Sequence, residues 1–101
     1  MKFLEPSQIL FLRADNTYTE IMLDSGSKII VSRTLKNFEE SLEHDSTFFR
    51  CHKSYMVNLS YVEEYSRSDG GFLIMKDKSE IPVTQDKIHE FLERVKVVKR
   101  K

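Results

Sequence analysis

The chain has 101 residues, 40% of them hydrophobic and 32% charged, which suits one domain with one modest core and argues against wholesale disorder. Its 16 basic and 16 acidic residues cancel, so charge balance alone does not announce a nucleic-acid binder, although the second half is slightly basic and ends in "KVVKRK". No apolar run approaches the roughly 20 residues of a membrane span. Pro6 interrupts any signal-peptide core, and a single cysteine makes no internal disulfide, so the expected setting is the cytoplasm, away from membranes.

Strand signals dominate the first third. "QILFLRA" (8–14) is a nearly continuous apolar run, and "YTEIML" (18–23) puts Thr19, Ile21 and Leu23 on one face. "DNT" (15–17) and "DSGS" (24–27) are turn chemistry, and the β-branched "KIIVS" (28–32) completes a three-stranded meander. The period then changes. Leu35, Phe38 and Leu42 recur at helical spacing, with Thr34 as N-cap. Further on, "YVEEY" (61–65) and "FLIM" (72–75) read as strands joined around Gly70-Gly71. "EIPV" (80–83) reads as an edge or irregular strand because of Pro82. A second helix begins near Thr84, with Ile88, Phe91, Leu92 and Val95 as its apolar stripe. The expected architecture is mostly β with two short helices over the sheet, one domain spanning 1–101 with 96–101 as a flexible basic tail.

Between the first helix and the later strands lies "FFRCHKSYMVN" (48–58), a polar knot of Arg50, Cys51, His52, Lys53 and Ser54 between segments that want burial. Sequence neighbours on an extended chain point to opposite sides, so Cys51 and His52 do not form a thiolate–imidazole pair; Cys51 is expected as a buried structural residue. His44, Cys51, His52 and His89 lack the paired short spacings of zinc sites. The paired acids at 39–40 and 63–64 fall on exposed positions by pattern, and the three glycines form no phosphate loop. Nothing supports an enzyme, a metal or a cofactor.

Binding remains. The knot is expected as a connection between helix and strand, where Arg50 and Lys53 are long donors suited to phosphates or guanine edges and His52 and Ser54 add short hydrogen bonds. A second polar turn, 15–18, offers Asn16 and Tyr18. A third, "TQDK" (84–87), opens the last helix, whose free N–H groups favour an anion. Taken singly, each loop is also an ordinary surface turn, and a protein–protein module using the same loops is the rival reading.

The order Leu35-x-x-Phe38, Leu42, then Phe48-Phe49-Arg50-Cys51-His52-Lys53-Ser54-Tyr55-Met56-Val57-Asn58 resembles the signature of the LytTR DNA-binding domain family. The aromatic after the Asn16-Thr17 turn, "TL" at the helix start and "IPV" before the last helix also match, so the resemblance runs from about Ile9 to Leu92. It implies small, twisted antiparallel sheets that bind double-stranded DNA through loops entering successive major grooves. It also implies the output half of a bacterial two-component response regulator, paired or dimeric on promoter repeats, with a receiver domain that this chain does not contain. By the same resemblance Asn16 and Tyr18 belong to the first contact loop, and Arg50, His52, Lys53 and Ser54 to the second. Lys53 is expected at a base or phosphate, Arg50 at phosphate, and His52 either at DNA or as an internal brace. Asn58 is expected to cap a backbone turn. The third loop departs from the family pattern, because Gln85 and Asp86 stand where a basic residue is usual; Gln85 could read adenine, Asp86 would repel phosphate, and Lys87 takes over.

Overall fold

The computed structural model describes residues 4–99. β1 (Ile9–Asp15), β2 (Tyr18–Leu23) and β3 (Lys28–Val31) form the expected meander, and β4 (Phe48–His52) and β5 (Tyr55–Asn58) add a hairpin, giving an antiparallel sheet of order β3-β2-β1-β5-β4. β6 (Val62–Ser66), β7 (Phe72–Met75) and β8 (Glu80–Pro82) make a second antiparallel sheet in sequence order. Pro82 therefore sits on an edge strand, where its missing N–H does no harm.

The large sheet is covered on both faces, which explains why "ILFL" in β1 does not alternate: all four residues are buried. On one face Ile9, Leu12, Ile21, Phe48 and Met56 pack against Leu35, Phe38 and Leu42 of the helical turn region around α1 (Leu35–Ser41). Thr34 Oγ1 accepts the Asn37 N–H at 3.2 Å, so the N-cap expected from sequence is present. On the other face Leu10, Phe11, Phe49, Cys51 and Val57 meet Leu73, Met75 and Ile81 of the small sheet. α2 (Ile88–Val98) closes that core with Phe91, whose ring lies 6.2 Å from Phe49 and 5.7 Å from Tyr65. Burying such a ring contributes on the order of 1.5–3 kcal/mol.

Three expectations need correction. Residues 50–52 are not a connection but the end of β4, and the turn shrinks to Lys53-Ser54. The last helix does not open at Thr84: a 3-10 turn (Gln85–Lys87) comes first, and α2 begins at Ile88. The basic tail does not begin at Lys96, because α2 carries on through Val98; the Arg100–Lys101 end lies outside the described residues.

Candidate nucleic-acid interface

The expected contact loops come together at one end of the molecule, and main-chain hydrogen bonds hold them there. In the first, Asp15 pairs with Tyr18 across a two-residue turn, with Asn16 at φ 56°, a left-handed conformation that asparagine tolerates well. Tyr18 is 49% exposed. In the second, His52 pairs with Tyr55 across Lys53-Ser54. Since β1 and β5 are neighbours, the two tips lie side by side, joined by Ala14 N–H donating to the Ser54 carbonyl at 2.8 Å. The third loop reaches the same end through Thr84 N–H, which donates to the Cys51 carbonyl at 3.0 Å.

The second tip is the most firmly built. The Arg50 guanidinium donates through Nε to the His52 carbonyl at 3.0 Å and through Nη2 to the Lys53 carbonyl, while Nη1 binds Glu39 Oε1 of α1 at 2.8 Å. All three guanidinium nitrogens are thus engaged within the chain, and the carbonyls of the turn acquire charged donors. His52 Nδ1 accepts the Ser54 N–H at 3.0 Å. That bond places the neutral ring's proton on Nε2, leaving a donor there. Burial, reinforced by the Lys53 and Arg50 charges, holds the His52 pKa below its ordinary value. Tyr55 packs edge-on to the His52 ring at 5.7 Å.

Lys53 at the tip is exposed and forms no ion pair among the described residues, whereas Arg50 does. Beneath the tip, Cys51 is fully buried and its thiol pKa is pushed up to about 12, chiefly by burial. Buried and held in its protonated form at neutral pH, it is a poor nucleophile in the folded chain. Asn58 is also buried; its amide donates to the Ile9 carbonyl at 2.9 Å and its oxygen accepts the Ser60 N–H at 3.0 Å, so it caps a backbone turn.

The third loop differs in character. Gln85 Nε2 donates to the Gly70 carbonyl at 3.1 Å, tying the loop to the β6–β7 turn. Asp86 is exposed, and Lys87 Nζ lies 3.8 Å from Glu90 Oε1, which partly neutralises it. Asn16, Tyr18, His52, Lys53, Ser54, Gln85 and Lys87 therefore share one end of the fold, with Arg50 behind them as a brace. Two partners escaped the sequence reading. Glu39, eleven residues from Arg50, looks like any solvated helix acid; only the packing of α1 on the sheet reveals its role. The Gln85–Gly70 bond likewise has no local signal.

A family model described as the LytTr DNA-binding domain matches residues 1–96. Among curated proteins, the sensory transduction protein LytT of Oceanobacillus iheyensis is 33% identical over 89 residues, covering 84% of this chain. The chain spans about a third (36%) of that relative's length. Among solved structures, the LytTr DNA-binding domain of a response regulator from Bacillus cereus superposes with a TM-score of 0.76 at 23% identity, covering 88% of this chain and 82% of that one. That likeness speaks for the fold.

Proposed function

Because this chain belongs to the LytTr DNA-binding domain family, we propose that it binds double-stranded DNA sequence-selectively, as the transcription-regulating output domain of a two-component response regulator. The observation that carries this reading is the second tip. A hairpin whose carbonyls are held by Arg50 projects Lys53, which has no ion-pair partner among the described residues, between two other polar loops. A preorganised donor of this kind suits a groove, where a cation meets phosphate oxygens or the acceptor edge of guanine. The first tip, with Asn16 and Tyr18, flanks it on one side, and Gln85 and Lys87 flank it on the other. Ser54 and His52 Nε2–H supply shorter donors beside Lys53. Neutral net charge is compatible with this role, since only one end of the molecule faces the duplex. In a longer regulator the domain would sit behind a receiver domain and occupy promoter repeats in pairs. Among the described residues no helix is long and apolar enough to cross a membrane.

The test is selection of duplexes from a random library, followed by anisotropy titration at several salt concentrations. Binding through several phosphates should give an affinity that falls steeply with salt, with a log–log slope of about −0.9 per phosphate neutralised. Failure to enrich any duplex, or a flat salt response, would favour the rival in which these loops grip a protein partner.

A further inference from the structure

Most cations of the described chain are engaged internally. Arg13 and Lys28 meet Glu20, Arg50 meets Glu39, Lys78 meets Glu63, Lys87 and Arg94 meet Glu90, and Lys96 meets Glu93. Arg33 and Lys76 lie over aromatic rings, and Lys99 binds the Ser60 carbonyl. Among the described residues this leaves Lys36, Lys53 and Arg67 with no partner for their charge. Lys36 is on α1, but Lys53 and Arg67 both stand at the loop end.

Arg67 opens the β6–β7 turn, whose last residue, Gly71, accepts the Val83 N–H at 3.2 Å through its carbonyl. Since Thr84 then bonds to Cys51, the β6–β7 turn continues the row formed by the other tips. The turn is also shaped: Asp69 has φ 51°, Gly70 φ 85° and Gly71 φ 105°. A side chain at Gly71 would be strained by that φ and would stand 3.4 Å from the Tyr65 hydroxyl. Gln85 Nε2 fixes the Gly70 carbonyl from the third loop. Counting strand spacings of about 4.8 Å, the row from the first tip to this turn has a contour on the order of 25 Å, within one helical turn of DNA, roughly 34 Å.

We propose that the β6–β7 turn is a fourth DNA contact, in which the Arg67 guanidinium binds a backbone phosphate and Gln85 acts as the positioning residue that latches the turn to the third loop. This rests on the DNA-binding reading above. Asp69 and Asp86 border the site, so a single phosphate approached by the long Arg67 side chain fits better than an extended run of backbone. One N–H of the Gln85 carboxamide is then committed to Gly70, which fixes the side chain against the turn.

Arg67→Ala and Lys36→Ala should be titrated against the selected duplex over a range of salt, beside the parent chain and Lys53→Ala. Loss of one phosphate contact should weaken binding roughly tenfold at low salt and flatten the log–log salt slope by about 0.9, equally for cognate and scrambled duplexes. Lys36→Ala should change neither. Gln85→Met, which keeps the shape but lacks the donor, should lower the slope in the same direction, and adding Arg67→Ala to it should cost less than Arg67→Ala alone. The fourth contact is overturned if Arg67→Ala leaves affinity and slope unchanged while Lys53→Ala weakens binding. If the parent chain binds no duplex, the DNA-binding reading itself fails and this contact falls with it. Additive effects of Gln85→Met and Arg67→Ala would remove the latch.

Discussion

Arg50 Nη1 lies 2.8 Å from Glu39 Oε1, so the helix on one face of the large sheet holds the residue that holds the second tip. α1 thereby acts on the interface without reaching it. Glu39 is about half exposed, so Glu39→Gln should cost no more than about 1 kcal/mol of stability in urea denaturation. Its effect on duplex affinity should come through a looser tip, visible as faster amide exchange at Lys53 and Ser54. Arg50→Lys is the sharper variant. Lysine keeps the charge but cannot span two carbonyls and a carboxylate with a planar fork. It should lose about 1–3 kcal/mol of stability through the underbonded His52 and Lys53 carbonyls, and DNA affinity with it. Were Arg50 acting only as a phosphate contact, Arg50→Lys would preserve both.

This pair also marks where sequence reading stops. The strands, the Thr34 cap and the burial of Cys51 follow from local pattern and chemistry, because each is decided by periodicity or by a bond to a near neighbour, whereas the capping role of Asn58 came with the family signature, and its amide also bonds the distant Ile9. The convergence of 15–18, 52–55 and 84–87 on one end was legible only through the family signature. The strand nature of 50–52 was hidden because Arg50 and His52 are polar on a strand whose other face is core. Arg50 is polar for the sake of its own turn and of Glu39, a tertiary partner that no spacing announces. The 3-10 turn before α2 was missed because Thr84 looks like a cap yet makes no side-chain capping bond.

His52 predicts a pH dependence. Its folded pKa lies below the ordinary 6.5, through burial first and then the charges of Lys53 and Arg50. The unfolded chain therefore binds more protons between the two pKa values, and stability must rise with pH across that window. Above about 6.5 both states are neutral at this residue and the term is flat; as pH falls below 6.5, stability is lost, and protonation also removes the Nδ1 acceptor of the Ser54 N–H. NMR titration should place the His52 midpoint below 6.5. The stability difference between the parent chain and His52→Ala should shrink as the pH drops from 7 toward 5. A midpoint above 6.5 would contradict the assigned hydrogen bond.

Cys51 behaves in the opposite sense. Its thiol, ordinarily ionising near 9, is raised to about 12 by burial, so stability from this group is intact below about 9 and falls as the pH climbs toward 12. At neutral pH the native thiol should react with a disulfide reagent only as fast as the core opens, and urea should accelerate it. Once modified, a bulky adduct should displace the second tip and weaken duplex binding. Rapid labelling with unchanged affinity would place Cys51 at the surface.

Lys53 and Asp86 test the assigned face directly, because they carry opposite charges at neighbouring loops. Both are exposed, so substitutions should leave stability within about 0.5 kcal/mol, which a denaturation curve checks first. If Lys53 reads a base, Lys53→Ala should weaken binding by about 1–3 kcal/mol and blur the preference at that base. If it binds phosphate, the loss should be similar across sequences, with a salt slope shallower by about 0.9. Asp86→Lys should strengthen binding and steepen the slope, since it replaces a repulsion by an attraction near the backbone. Glu40→Lys makes the same two-unit charge change at an exposed position of α1. At moderate salt, where the Debye length is about 10 Å, it should matter far less if the loop end is the interface. Equal gains from Asp86→Lys and Glu40→Lys would mean that net charge alone drives binding. A gain from Glu40→Lys together with no loss from Lys53→Ala would put the duplex on the helical side of the large sheet.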